Sequence, residues 1–273
     1  MSQALAKFTR RVPELAEIHD GVTLYAGGDD VLCILSMPKA LDFAQAISEA
    51  YRDAFSDADD LPNATLSAAV VFAQARLPLN QVLGEAHRLL DDVAKDGNGR
   101  NSLAVAVLKP SGLHCQWVTT WVRHASDGDE SAVDLIRRLE HRIGTAAAVP
   151  GVSSALIYRI RDLLSRLCGW EQWRPGDWGE FPSDIDIRAF LRAELHHSLD
   201  VRMDNGAGGH ADELATKVWD LLGRSRNIRA DAANAQTRPD GDGATTQAGV
   251  DALLLARFLA DPGEVAEQGE PDE

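Results

Sequence analysis

Val22-Thr23-Leu24-Tyr25-Ala26-Gly27-Gly28-Asp29-Asp30-Val31-Leu32-Cys33-Ile34-Leu35 is the stretch on which the reading of this chain turns. Two runs of β-branched, aromatic and aliphatic residues flank Gly-Gly-Asp-Asp. That is the pattern of a β-hairpin, because glycine reaches the positive φ angles a tight turn needs. Asp29 and Asp30 therefore sit at a hairpin tip. Adjacent carboxylates repel, and a divalent cation bound through hard oxygens relieves the repulsion, so the pair is a candidate Mg²⁺ or Mn²⁺ site. Gly27 and Gly28 lack Cβ atoms and would let a nucleotide phosphate approach the backbone closely. The plain alternative is a solvated Asp-Asp turn.

Leu41, Ala44, Ile47, Tyr51 and Phe55 recur at helical spacing, which predicts an amphipathic helix from about residue 39 to residue 55, with Pro38 at its start. A strand is expected over 66–73. A helix comes next, with Leu79, Val82, Leu83, Ala86, Leu89, Leu90 and Val93 on its apolar side, and ends in Ala94-Lys95-Asp96-Gly97-Asn98-Gly99-Arg100-Asn101. Leu5, Phe8, Val12, Leu15 and Ile18 mark a helix ahead of the hairpin, which Pro13 should kink or divide. Residues 103–108 and 115–122 read as a second hairpin. The fold class is α+β. The order of elements matches a ferredoxin-like palm, a split βαβ arrangement, with its first strand missing.

The stretch Leu24 to Leu32 resembles the second palm domain of the large, polymerase-like subunit of type III CRISPR interference complexes, most closely the Cmr-type (III-B) version. The stretch from Ala94-Lys95 through Gly99-Arg100-Asn101-Ser102 to Val105 is similar to the second conserved block of nucleotidyl cyclases. The two motifs lie about seventy residues apart with suitable elements between them, a far more specific signal than either alone. The likeness covers roughly residues 1–122 and extends more loosely into a C-terminal helical domain.

That resemblance implies a palm that condenses ATP into cyclic oligoadenylate, with divalent metal, when the complex has captured target RNA. It implies Asp29 as first metal ligand and Asp30 as second ligand or proton acceptor, with Gly27 and Gly28 beside the nucleotide. Lys95 and Arg100 would hold the β- and γ-phosphates, although a solvated helix end would carry the same charges. It implies partners too: a small subunit, backbone subunits and an N-terminal half carrying an HD nuclease domain, a zinc-binding region and a first palm. Guide RNA and target RNA would be met through the complex. Relatives supply another metal-binding acid from the first palm strand, and only a helix precedes the hairpin here. The chain is therefore expected to be the C-terminal part of a larger or split protein, weak or inactive alone.

Charge fits a palm that leans on partners. The 273 residues carry 27 Lys+Arg against 42 Asp+Glu, a formal net charge of −15, which argues against autonomous nucleic-acid binding. Residues 1–125 are nearly balanced, with 11 basic against 15 acidic residues, and the remainder holds 16 against 27. No long apolar run or signal-peptide layout is present, so no membrane partner and a cytoplasmic location are expected. Cys33, Cys115 and Cys168 are too far apart for a zinc signature.

The expected domains are a palm over 1–125 and an all-α C-terminal domain over 126–262, joined by a linker at Ser126-Asp127-Gly128-Asp129. Helices are predicted near 131–143, 154–167, 183–199, 212–222 and 250–259. Residues 226–249 read as a flexible loop and 263–273 as a disordered acidic tail. His19-Asp20 lacks companion ligands for an HD site, and His196-His197 reads as a helix end. Trp170, Trp173 and Trp178 read as loop anchors rather than base-stacking rings. Arg224, Arg226 and Arg229 suit either RNA phosphate or a partner's acidic face. Two other functions compete with a cyclase subunit. One is a catalytically inactive structural CRISPR subunit. The other is a diguanylate cyclase, against which stand Val31 where that family has Phe, the absence of a preceding Arg-x-x-Asp motif, and the helical extension.

Overall fold

The computed structural model describes residues 2–56, 64–125, 128–143, 152–180, 186–200, 208–226 and 247–260. The chain forms two compact units, one built on residues up to 106 with 118–121, the other on 107–117 and most of the chain beyond residue 122.

The first unit begins with α1 (Ser2–Ile18), which runs undivided through Pro13. Pro13 is exposed, while Phe8, Val12 and Ala16 on the opposite face are buried. Packing of that face therefore outweighs the roughly 3 kcal/mol a helical proline costs. β1 (Gly21–Gly27) and β2 (Asp30–Leu35) pair antiparallel, with Val22 opposite Ile34 and Thr23 opposite Cys33. The register then slips by one residue at Leu24, so that Tyr25 faces Leu32 and Ala26 faces Val31. After a short 3₁₀ turn at Met37–Lys39, α2 spans Ala40–Phe55. Ala4, Phe8, Val12 and Ala16 of α1 meet Phe43, Ile47, Ala50, Ala54 and Phe55 of α2 in one core. Ala26, Val31, Cys33 and Leu35 pack against it from the hairpin's inner face.

β3 (Ala68–Ala73) leads to α3 (Leu79–Arg88), which continues without a break as a wide, π-type helix over Leu89–Gly97. β4 (Ser102–Lys109) and β5 (Gly112–Thr120) lie at the places predicted. β3, β4 and β5 form one sheet in that order, and β1–β2 is a separate sheet of two strands.

The second unit is not all-α. β6 (Val122–Ala125) and β7 (Gly128–Ser131) make a small antiparallel ribbon, with Gly128 at φ 121°. Gly128 and Asp129, expected in a linker, are thus strand residues, because a glycine free to take positive φ can turn a hairpin as readily as loosen a chain. β8 (Gly179–Glu180) pairs with β9 (Gln247–Ala248), so the end of the expected 226–249 loop is ordered. The rest of that loop, from 227 to 246, and the acidic tail lie outside the described residues.

Among the described residues five helices carry this unit: α4 (Ala132–Glu140), α5 (Ser154–Leu167), α6 (Ile187–Asp200), α7 (Gly208–Leu222) and α8 (Asp251–Ala260). Serines cap two of them. Ser131 Oγ accepts from the Val133 and Asp134 N–H groups, and Ser153 Oγ accepts from Leu156 N–H. α8 is buried almost all round and packs against α4, α5 and α7. Its first residue, Asp251, accepts from Gln116 N–H at 2.7 Å and Gly176 N–H at 3.0 Å. Arg123 donates to the Asp220 and Gly223 carbonyls, closing the end of α7 with a buried cation. Burial lowers the pKa of that guanidinium to about 10.

Candidate active site

The two residues between β1 and β2 are Gly28 and Asp29. Gly28 takes φ 64° while Asp29 does not, the pattern of a type II′ turn with glycine at its first central position. A Cβ built on Gly28 would meet nothing within 4 Å, so the backbone there lies open to an approaching group. Gly28, Asp29 and Asp30 are all exposed. Gly27 is glycine for a different reason: an added Cβ would stand 2.5 Å from Tyr25 Oη and 2.8 Å from Tyr25 Cζ. The space a side chain would fill is thus open at Gly28, while beside Gly27 it is taken by the Tyr25 ring.

The slip at Leu24 is a β-bulge, and it changes which side chains accompany the carboxylates. Strict alternation would put Tyr25 on the inner face with Thr23. The extra residue moves Tyr25 to the outer face, with Leu24, Gly27, Asp30 and its cross-strand neighbour Leu32, and returns Ala26 to the core. Tyr51, on α2, lies near the other carboxylate. Burial first, and then the charge of Asp29, push its phenol above the ordinary value. The Tyr51 ring is fixed by Phe8 at 5.0 Å and Phe55 at 4.7 Å between centroids. Sequence reasoning singles out neither tyrosine as a site residue. For Tyr25 the sequence carries no such signal, because Val22, Leu24 and Ala26 keep an unbroken alternation and the slip appears only in the pairing register.

The second motif is built on the wide helix and the turn after it. Lys95 Nζ donates to Asp91 Oδ1 at 2.7 Å, one turn earlier. That ammonium, first by hydrogen bond and then by charge, holds the Asp91 carboxyl below its ordinary value, and Arg100 adds a smaller pull. Gly99, Arg100 and Asn101 all have positive φ, at 82°, 66° and 48°. Left-handed backbone at two consecutive non-glycine residues is held here by buried neighbours. Asn98 Nδ2 donates to Ser102 Oγ at 2.9 Å, and Ser102 Oγ donates to the Arg100 carbonyl at 2.7 Å. Asn98 and Ser102 are fully buried, and Asn98 Oδ1 has no hydrogen-bond partner. Arg100 itself is exposed. Of the six residues expected in the site, then, four share the hairpin tip and two share the 95–100 turn.

The donor chemistry at the tip suits a hard divalent cation through two carboxylates of neighbouring residues. Among the described residues no group of three or more His, Cys, Asp or Glu side chains gathers at one place. His19 Nδ1 lies 2.8 Å from the Leu15 carbonyl, its own preceding helical turn, which accounts for it without a ligand. His196 Nε2 lies 3.2 Å from Asp212 Oδ1, and Trp178 carries the Arg224 guanidinium over its ring at 5.5 Å. These side chains serve the second unit internally.

The family model for the second palm domain of Cas10/Cmr2 matches residues 1–104. Over 121 residues, 44% of the chain, the sequence is 37% identical to the CRISPR system Cmr subunit Cmr2 of Pyrococcus furiosus. The aligned stretch spans 14% of that relative. Together the two matches make the first part of the chain similar to the second palm of Cas10/Cmr2, and the alignment spans only a small part of the Cmr2 relative's length. The Cas10/Cmr2 match includes both the hairpin and the Lys95–Arg100 turn, so the two motifs lie within one domain. Among the described residues no helix is long and apolar enough to cross a membrane.

Proposed function

We propose that this chain is part of a type III CRISPR RNA-guided antiviral effector whose palm makes cyclic oligoadenylate from ATP when target RNA is bound. The observation that carries the reading is the open left-handed turn at Gly28 with two exposed carboxylates, inside a stretch that matches the Cas10/Cmr2 second palm. The proposed partners are the small and backbone subunits, the remainder of the large subunit, and guide and target RNA through the complex. The proposed domains remain a ferredoxin-like palm to residue 125 and a mainly helical domain to 262.

Asp29 and Asp30 would hold Mg²⁺ or Mn²⁺. Such an ion supplies positive charge to the entering 3′-oxygen and to the departing pyrophosphate. Gly28 leaves the backbone bare for the α-phosphate side of the nucleotide. One of the two carboxylates accepts the proton of the attacking 3′-hydroxyl, a task for a group within hydrogen-bond reach of it. Lys95 exchanges Asp91 for the β- and γ-phosphates, and Arg100 adds a second cation on a backbone that cannot drift.

A second reading, a structural subunit without catalysis, draws on two observations: no third acidic ligand gathers among the described residues, and β1–β2 stands apart from β3–β4–β5. Titrating Mn²⁺ into the chain with ATP present tests the nucleotide site common to the cyclase reading. Binding should be saturable and lost in the Asp29→Ala/Asp30→Ala double variant. Equal binding by that variant would exclude the hairpin as the site.

A further inference from the structure

The two motifs do not account for the outer face of the hairpin. Val22, Leu24, Tyr25 and Ile34 are 64%, 52%, 56% and 55% exposed, unusual for four large apolar or aromatic residues on two paired strands. Their counterparts on the inner face pack into the α1–α2 core, so the hairpin itself is anchored and this face is left bare by the register. The bulge at Leu24 brings Tyr25 onto the face, and the missing side chain at Gly27 lets the phenol lie directly along the strand toward the turn. Asp30, one of the two candidate metal ligands, begins β2 opposite Gly27. An aromatic plane, a bare backbone and a carboxylate thus succeed one another along one face of a single hairpin.

We infer that Tyr25, set by the Leu24 bulge and the Gly27 vacancy, is the stacking platform for the base of the nucleotide whose phosphates meet the Gly28–Asp30 turn. This rests on the nucleotide reading above and adds the direction in which the nucleotide lies: along the outer face, base toward Tyr25 and Leu32, away from the helices. Sites for small molecules combine an apolar floor with a few polar groups at one end, and this face has that make-up. Continuity with the carboxylate turn is what favours a base over a protein partner as its occupant. Every base offers a π-face, so stacking on tyrosine gives affinity without choosing between adenine and guanine. The choice of base must come from other residues.

The test compares Mn²⁺–ATP, Mn²⁺–GTP and Mn²⁺–tripolyphosphate, which has the charge and no base, binding to the full chain by calorimetry. Tyr25→Ala should weaken ATP and GTP about tenfold or more, within the range for removing one aromatic stack, and leave tripolyphosphate unchanged. Tyr25→Phe should keep the wild-type values, since the ring and not the hydroxyl is used. Gly27→Ala, which leaves the ring in place chemically but pushes it off the strand, should reproduce the loss. Because Tyr25 is more than half exposed, these variants should retain the wild-type thermal midpoint. If Tyr25→Ala bound ATP as wild type does while Asp29→Ala/Asp30→Ala did not, the platform would be wrong and the nucleotide site would stand. If wild type bound neither ATP nor tripolyphosphate, both would fall. A change confined to the sedimentation of the chain would overturn the inference in favour of a protein-contact face.

Discussion

Gly28 carries a conformational demand that no other residue type meets without cost. Its φ of 64° lies where an L residue brings Cβ against its own carbonyl, at about 1–2 kcal/mol, and more for β-branched side chains. Gly28→Val should therefore lower the stability of the first unit by roughly that amount in urea titration and weaken Mn²⁺–ATP binding, whereas Gly28→Asn, which tolerates left-handed backbone, should keep most of the stability. Wild-type stability in Gly28→Val would show that the turn changes conformation freely. Asp251 makes the opposite kind of demand, on charge. Burial pushes its carboxyl up to about 7 against the opposing effect of the Gln116 and Gly176 N–H donors, and Asp177 adds to the rise. A carboxyl with a raised folded pKa holds a proton in the fold that the unfolded chain has already released. Stability should therefore fall as pH rises between about 4 and 7, and level off above that. Thermal midpoints of wild type and Asp251→Asn at pH 5 and pH 8 check this, with a smaller difference expected in the variant. Equal differences in both proteins would show that Asp251 does not drive the dependence.

The turn from Asn98 to Ser102 is an element held in place at a cost to stability. Arg100 is left-handed and exposed, so its backbone conformation is imposed by the Asn98–Ser102 bonds beneath it. Arg100→Gly should leave the chain as stable or up to about 1 kcal/mol more stable, because glycine accepts that conformation freely, while Mn²⁺–ATP affinity falls through loss of the cation. A variant that loses stability instead would mean the guanidinium itself braces the turn. Elements of this kind mark how far a sequence can be read. The GGDD hairpin is legible because alternation and glycine chemistry agree there, and α2, β4, β5 and α5 are legible because their apolar spacing is regular. The bulge is not, since Val22, Leu24 and Ala26 keep an unbroken alternation across it. The wide helix after Arg88 hides for another reason: Leu89, Leu90, Val93 and Ala94 satisfy an ordinary helical face and its π-type variant alike. At Pro13 a local rule gives way to the burial of Phe8, Val12 and Ala16, a tertiary effect that no window of sequence contains.

At the scale of the whole molecule β1–β2 and β3–β4–β5 are two sheets rather than one, and the carboxylate pair lies on the smaller. A two-stranded hairpin offers strand edges that a further strand can pair with, and a two-carboxylate site gains from a third acid. The isolated chain should thus bind Mn²⁺–ATP yet turn it over poorly. A separately expressed polypeptide corresponding to more of the Cmr2-type subunit, added with target RNA and the other subunits, should raise product formation at least tenfold by liquid chromatography, a gain of about 1.4 kcal/mol in the barrier. Equal rates with and without it would mean that the chain needs no completion. The second unit has its own dependence, set in time. Its most enclosed helix, α8, is supplied by residues 251–260, and Asp251 reaches back to Gln116, 135 positions earlier. A ribosome makes α4, α5 and α7 before it makes the helix they pack against, so during synthesis these three wait with those faces wet. The unit closes last-in, like an arch around its keystone, and a nascent chain halted short of residue 250 should be cut by protease where the finished one is not.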